Sequence, residues 1–422
     1  MKPLPKPLFD TLENNKHESL LTCISQYLAA LAKSSTLTIQ TLKTEYQLTR
    51  EFLISYSGSP DTYTAYRREV ERLLQWAWLI AKKPIKILDR NDIRSYFEFA
   101  SQPPITWIAT KTIARFTNKK GERVHNPNWR PFSARITKVQ HKQGQTPDKN
   151  NYLLTSSSLH ALFASVSTYF TFLQQENYLE INPVQLVRQK SRFLQKRQSI
   201  KVTRKLSQLQ WDCVINSIET LANQEPGYER HLFLISSFYL LGLRISELAD
   251  TPGRIPKMSD FSPDKHGRWW FTTVGKGNKQ RDVAVPDSMI DVLKRYRSSL
   301  SLSPLPSRGE QTPLIHKQRG KGGLGPRQVR NLVQDCFDRA ILNLKKSEKD
   351  DEAEDLAAAT VHWLRHTCIS ADIEHRPREH VRDDAGHENA NITERYIDTD
   401  RAARHQSAKN KPLKPPIETV GL

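Results

Sequence analysis

Residues Val361 to Asp398 read VHWLRHTCISADIEHRPREHVRDDAGHENANITERYID, and this run decides how the rest of the chain is interpreted. It holds His362 and Arg365, whose spacing puts both on one face of a helix, and then His387 and Tyr396. Upstream of it, Arg244 follows an apolar run in LLGLRISEL, and Lys276 sits in the glycine-containing turn of VGKGNKQRDVAVP. Together these are groups that a phosphodiester requires. Attack on a phosphate builds charge on its two non-bridging oxygens, and planar guanidinium groups hold such oxygens bidentately at any physiological pH. Arg244 and Arg365 are the expected clamp. A phenol of reference pKa about 10 is only roughly one part in a thousand phenolate at neutral pH, so Tyr396 needs neighbouring cations or a base to act as a nucleophile. Lys276, carried on a hairpin tip, is the expected proton donor to a departing sugar oxygen.

Taken singly, each residue is ordinary. His-x-x-Arg commonly marks a solvated helix face, Glu247 a cap or ion-pair partner, Lys276 a turn lysine, and one tyrosine of thirteen a packing residue. The six together, in this order, resemble the tyrosine recombinase (phage integrase) family, whose pattern is Arg, Lys, His-x-x-Arg, His or Trp, then Tyr. LGLRISEL is similar to the family's first arginine box, with Glu247 in its acidic position, and HWLRHT to the second. AGH, ending in His387, with Tyr396 nine residues further on, is similar to the last. The resemblance covers roughly residues 45 to 400.

The resemblance implies a mainly α fold with a small antiparallel β-sheet, the latter in an α+β catalytic domain. A helical core-binding domain and this catalytic domain would form a two-domain C-shaped clamp on double-stranded DNA. It implies site-specific recombination, in which Tyr396 attacks the scissile phosphate to form a 3'-phosphotyrosyl bond while Lys276 protonates the 5'-oxygen. Arg244 and Arg365 would stabilise the pentacoordinate state, with His362 and His387 bonding the phosphate or assisting proton transfer and Glu247 in support. No metal or other cofactor is called for. A homotetramer on DNA, alone or with sister recombinases, would exchange strands through a Holliday junction and so integrate or excise a mobile element. Two alternatives stay open: DNA relaxation of the type IB topoisomerase kind, and a catalytically silent DNA-binding protein.

Composition agrees with a DNA partner. Sixty-four Lys and Arg against 45 Asp and Glu give a formal net charge of +19, a balance that favours polyanions through counterion release and steering. Cys23, Cys213, Cys336 and Cys368 lack metal-ligand spacing, which predicts a reduced protein without disulfides or zinc. The opening MKPLPKPLFDTLENN has no apolar signal region and no run approaches membrane-spanning length, so a bacterial cytoplasmic, nucleoid-associated location is expected.

Five segments are expected along the chain. Residues 1–48 are an N-terminal helical segment with Leu20, Leu21, Ile24, Tyr27 and Leu28 at helical spacing. Residues 49–190 are the core-binding domain, with helices at EFLISYS, 62–82, 91–99 and 156–176. Trp76 and Trp78 lie on opposite sides of the second, one for the core and one for the N-terminal segment. An insertion at 102–152 replaces the short turn usual in the resembled family. It carries Lys111, Arg115, Lys119, Lys120, Arg123, Arg130, Arg135, Lys138, Lys142 and Lys149 against only Glu122 and Asp148. Alternation in TWIATKTIARF and ARITKVQH predicts strands flanking the NKKG turn and the NPNWRPF loop, and the whole is read as a DNA-contacting arm.

The linker, 191–205, brings Lys196, Arg197, Lys201 and Arg204 to the backbone phosphates. The catalytic domain, 206–400, opens on a helix capped by Ser207 and continues with an apolar helix over 228–241. WWFTTVG and RDVAVP are strands around GKGNKQ, RGKGGLG is an entry loop before a helix starting near Pro326, and DDEAED is a surface excursion turned away from DNA. His362 and His366 have zinc-like spacing but no further ligand pattern. EHRPREHVRDDAGH departs from the family, being charged where relatives carry apolar residues, and Pro377 breaks the helix there. The tail, 401–422, is expected to be extended and to reach a neighbouring subunit, as the resemblance implies.

Overall fold

Thr38, Asp89, Thr155 and Ser207 each stand immediately before an apolar-periodic run. Each side chain accepts a backbone N–H of the first helical turn, from Thr41, Asn91 and Asp92, Ser158 and Gln210 respectively. These caps set four helix starts. In the computed structural model the described residues are 4–15, 21–188, 204–275, 277, 279–317, 319–320, 322–387 and 409. The chain divides into two compact units, 1–200 and 201–422. Both are mainly helical, with short strands.

The first unit contains α1 (Leu12–Asn15), α2 (Thr22–Ser34), α3 (Ile39–Ile54), α4 (Pro60–Trp76), α5 (Arg90–Ser101), α6 (Lys138–Lys142), α7 (Ser156–Gln175) and α8 (Pro183–Arg188). α4 runs on through a wider turn at Ala77–Ala81 that ends at Lys82 in the left-handed region. Trp76 and Trp78 are both buried, and Trp78 turns to the N-terminal segment, donating Nε1–H to Glu45 of α3 at 2.7 Å. Glu45 also accepts from the Tyr178 hydroxyl (2.9 Å) and the Ile85 N–H (2.5 Å), and burial raises its pKa. Ahead of α1, Leu8 and Phe9 are fully buried and their N–H groups donate to Glu71 of α4 at 2.9 and 3.1 Å. No local sequence pattern marks this strap, because Glu71, which holds it, lies far along the chain.

Strand expectations for the insertion hold only at its centre. β2 (Phe116–Lys119) and β3 (Glu122–His125) form an antiparallel hairpin, closed by Lys120 and Gly121 at φ 50° and 82°. β1 (Ile108–Ala109) lies parallel to β4 (Phe132–Ser133), so TWIATKTIARF contributes two strand residues before the hairpin rather than a full strand. ARITKVQH is corrected more strongly: its second half is helix α6, because Thr137 and Gln140 make a reciprocal capping box that starts a helical turn.

In the second unit α9 (Gln208–Gln224), α12 (Asp287–Ser299), α13 (Pro326–Lys346) and α15 (Val361–His375) surround α10 (Glu229–Leu241), whose Phe233, Leu234, Ile235 and Phe238 are fully buried. Gly242 ends α10 in the left-handed conformation and leads to the short α11 (Ile245–Leu248). β5 (Phe261–Pro263), β6 (Trp269–Val274) and β7 (Gln280–Ala284) make an antiparallel sheet in that order. DDEAED is not a surface excursion. It opens α14 (Asp350–Ala358), which buries Ala353 and Leu356 against α9 and α13, while Glu352 accepts from Ser207 Oγ (2.9 Å). α15 stops at His375 and α16 (Arg378–Ala385) follows Pro377, as a proline that cannot continue a helix requires. Among the described residues no helix is long and apolar enough to cross a membrane.

Candidate active site

Arg244 stands between Gly242 and α11, where the chain leaves the apolar core, and its backbone N–H donates to Glu247 Oε2 at 2.7 Å. Its Nη1 reaches Glu247 Oε1 at 3.1 Å and its Nη2 the carbonyl of Gly386 at 3.4 Å. Glu247 is fully buried, and a buried carboxylate needs paired cations. The second cation is Arg281 on β7, whose Nη1 and Nη2 grip the two Glu247 oxygens at 2.6 and 2.9 Å. Burial pushes the Glu247 carboxyl up, but the Arg281 hydrogen bonds and charge, the Arg244 N–H and the Arg365 charge hold it below the ordinary value. Arg281 Nε also donates to the carbonyl of Asp384 at 2.8 Å, tying the sheet to the end of α16.

Arg365, on α15, is almost wholly buried at 1% exposure. Its Nη1 donates to the carbonyl of Gly242, its Nη2 to that of Ala385 at 2.6 Å, and Nη2 lies 3.3 Å from His387 Nε2. A guanidinium only donates, so in this pair Nε2 accepts and the imidazole proton belongs on Nδ1. Burial, then the charges of Arg365, Arg244 and Arg281, lower the His387 pKa to about 4, so the ring is neutral at physiological pH. The enclosure of the His362 ring, then the charges of Arg365, Arg244 and Arg204, lower its pKa too. His362 and His366 meet edge to face at 4.6 Å between centroids.

The charged stretch before His387 is held by ion pairs where an apolar run was expected from the family. Arg376 bonds Asp372 (2.9 Å) and Asp384 (2.5 Å), Asp384 accepts the Ala284 N–H (3.3 Å), and Val381 and Ala385 fill the small apolar contact with Ile369. Gly386 is required: its φ is +61°, and a Cβ there would come within 2.9 Å of Arg281 Cδ.

Arg244, Glu247, His362, Arg365 and His387 thus come from three separate stretches of chain to one place. Tyr396 and Lys276 lie outside the described residues, as do Lys196, Arg197 and Lys201 of the linker and all of the tail but Lys409. The two arginines are not the equivalent forks expected from sequence. The Arg244 side chain keeps 29% of its surface open, whereas Arg365 is sealed among carbonyls. Arg281 was missed. Its signal was its place two residues before buried Val283, which puts a charged residue on the inward face of a strand.

The DNA-contact expectations divide similarly. Arg115 and Arg123 are reassigned to internal ion pairs with Glu71 and Asp10, and Arg130 donates to the carbonyls of Pro127 and Trp129 at 2.7 and 2.6 Å. Lys111, Lys119, Lys120, Arg135 and Arg204 are exposed, and Lys138 is half-buried. Among the described residues no group of three or more His, Cys, Asp or Glu could hold a metal ion.

Residues 210–403 match the model of the phage integrase family. The tyrosine recombinase XerC of Anoxybacillus flavithermus is 28% identical over 193 residues, covering 46% of this chain and 59% of that protein. The XerC of Caldanaerobacter subterraneus subsp. tengcongensis is 25% identical over 256 residues, 59% of this chain and 61% of its own. The chain therefore spans less than two thirds of the length of these curated relatives. Among solved structures, the XerH site-specific recombinase bound to palindromic difH substrate, a post-cleavage complex, matches with a TM-score of 0.55 at 15% identity, covering 97% of this chain and 99% of that one. A Tn1549 transposon integrase in complex with a circular intermediate DNA gives 0.51 at 14% identity, covering 86% and 98%. Both are likenesses of fold.

Proposed function

The chain belongs to the tyrosine recombinase (phage integrase) family, and from that premise we propose that it is a site-specific DNA recombinase acting through a covalent bond between Tyr396 and a DNA 3'-phosphate. One observation carries the reading: Arg244, Arg365 and Arg281 converge on Glu247 and on the turn from Ala385 to His387, an arrangement with more positive than negative charge and one open guanidinium. An anion completes such a set.

In this reading Tyr396 Oη attacks phosphorus as its proton passes to a neutral imidazole of the site, His362 or His387, the bond to the 5'-oxygen breaks, and Lys276 gives that oxygen its proton. Attack by the 5'-hydroxyl of a second strand on the phosphotyrosine reverses the step, so the bond energy is conserved and no cofactor is consumed. Arg244 faces the non-bridging oxygens. Arg365 fixes the carbonyl of Ala385 and the ring of His387. Glu247 offsets repulsion among the guanidinium groups and orients Arg244.

We further infer integration or excision of a mobile element by a tetramer on DNA, through a Holliday junction; one neighbour of similar fold is a transposon integrase in complex with a circular intermediate DNA. The test is trapping on a nicked duplex that loses the fragment needed for religation. Wild type should accumulate a protein–DNA adduct that resists detergent, and Tyr396→Phe none. Absence of the adduct with wild type on the element's own ends would favour a silent DNA-binding protein.

A further inference from the structure

The insertion of residues 102–152 belongs to the first unit, and the cations of its hairpin and loop fall into two groups. Arg115 and Arg123 point inward, and Arg130 is taken up by the carbonyls of Pro127 and Trp129 in its own loop. Arg115 donates Nε–H to the Phe9 carbonyl at 3.0 Å, bonds the Glu71 carboxylate, and lies 4.9 Å over the ring of Trp129. Arg123 reaches the two Asp10 oxygens at 2.5 and 2.9 Å. Both therefore pin the root of the β2–β3 hairpin to the strap at residues 4–10. Phe116 is buried at the same root, and His125, 5.5 Å from its ring, packs edge-on against Tyr27 of α2 at 5.8 Å. The tip is the opposite in character. Thr117, Asn118, Lys119, Lys120, Gly121 and Glu122 are all exposed and include no apolar side chain beyond the threonine methyl.

We propose that β2–β3 is a rigid arm that contacts the phosphates of duplex DNA through Lys119 and Lys120, with its direction set by the N-terminal strap through Asp10 and Glu71. The inference rests on DNA being the substrate. A protein partner would ask for an aromatic or aliphatic anchor at the tip, and none is present. A two-stranded ribbon has the width of the B-DNA major groove, and strands of four residues extend about 13 Å from the root. Two ammonium groups at a glycine-closed turn are point charges suited to phosphate. Because Asp10 and Glu71 engage Arg123 and Arg115, the open charge of the hairpin is concentrated on the two tip lysines.

The test is equilibrium binding of the full chain to its duplex across a salt series. Each phosphate contact contributes about 0.9 to the slope of log K against log salt, so K119A/K120A should be shallower than wild type by about 1.8. K119R/K120R should restore the wild-type slope. An unchanged slope in the alanine pair overturns the arm. The strap's part is read separately by amide hydrogen exchange in the free protein: D10N should accelerate exchange over residues 116–125, and unchanged exchange overturns it. Wild-type adduct formation on the nicked duplex does not depend on the arm. Its failure would sink the recombinase reading, whereas an unaltered slope beside a normal adduct sinks only the arm.

Discussion

Glu247 shows how a buried acid can serve a basic site. It is fully buried, and Arg281 covers both its oxygens while Arg244 takes one of them. Removing one partner of such a pair leaves an uncompensated charge, at a cost of about 3–5 kcal/mol. Arg281→Ala should therefore lower the urea midpoint of the second unit and slow cleavage, with DNA affinity changed far less than rate. Arg281→Lys, which keeps the charge but loses the fork, should recover part of the stability and little of the rate. Equal losses in affinity and rate would speak against a positioning role.

The titrating groups of the site act in two windows. His366 and His387 are lowered from 6.5 to about 4 by burial and then by nearby positive groups. The unfolded chain thus binds protons first, and stability that is complete above pH 6.5 falls as pH drops toward 4. Glu247 is lowered from 4.5, so its contribution is present above that value and is lost as pH falls through the depressed one. Urea unfolding at a series of pH values should show the midpoint falling already between pH 6.5 and 5. A midpoint flat down to 4.5 would contradict the histidine assignments.

Among the elements, what the sequence made legible follows from which forces act locally. The cap at Ser207, the apolar helix before Arg244, the two strands around GKGNKQ and the break at Pro377 are set by neighbours a few residues away, and each is where the pattern put it. Ser207→Ala should cost about 1 kcal/mol in chemical unfolding, somewhat more if the Glu352 contact contributes, and no change would argue that the cap is replaced by water. What the pattern did not show depends on partners far along the chain. Leu8 and Phe9 stand in no periodic pattern, and their place is set only when Glu71 takes their N–H groups. DDEAED looks like solvated acid until Ala353 and Leu356 are set against α9 and α13. Alternation in ARITKVQH suggested a strand, and a capping box between Thr137 and Gln140 overrode it. Gly386→Ala tests the converse, a local requirement imposed from afar. A Cβ there meets Arg281 and demands φ +61°, so the variant should lose stability by about 1–3 kcal/mol and cleave poorly, while Gly58→Ala, with open space around it, should do neither.

For the whole molecule, the order Arg, Lys, His-x-x-Arg, His, Tyr is a pattern of residue types that the sequence displays, whereas the relative exposure of the two arginines is not. Whether a guanidinium faces solvent or carbonyls is decided by the packing of α10, α15 and α16, and that packing seals Arg365 and opens Arg244. The net charge of +19 favours a polyanion without specifying where it would bind, and the inward turn of Arg115 and Arg123 shows that a cation count overstates the charge left open for one. In the proposed reaction Arg244 offsets charge developing on the scissile phosphate. The direct measurement is the single-turnover cleavage rate of wild type and Arg244→Ala on matched duplexes bearing either a normal phosphate or a neutral methylphosphonate at the cleavage point. On phosphate the variant should be slower by about a hundredfold or more, and on methylphosphonate, where the charge is gone, most of that deficit should vanish. A deficit of the same size on both duplexes would rule that role out for Arg244.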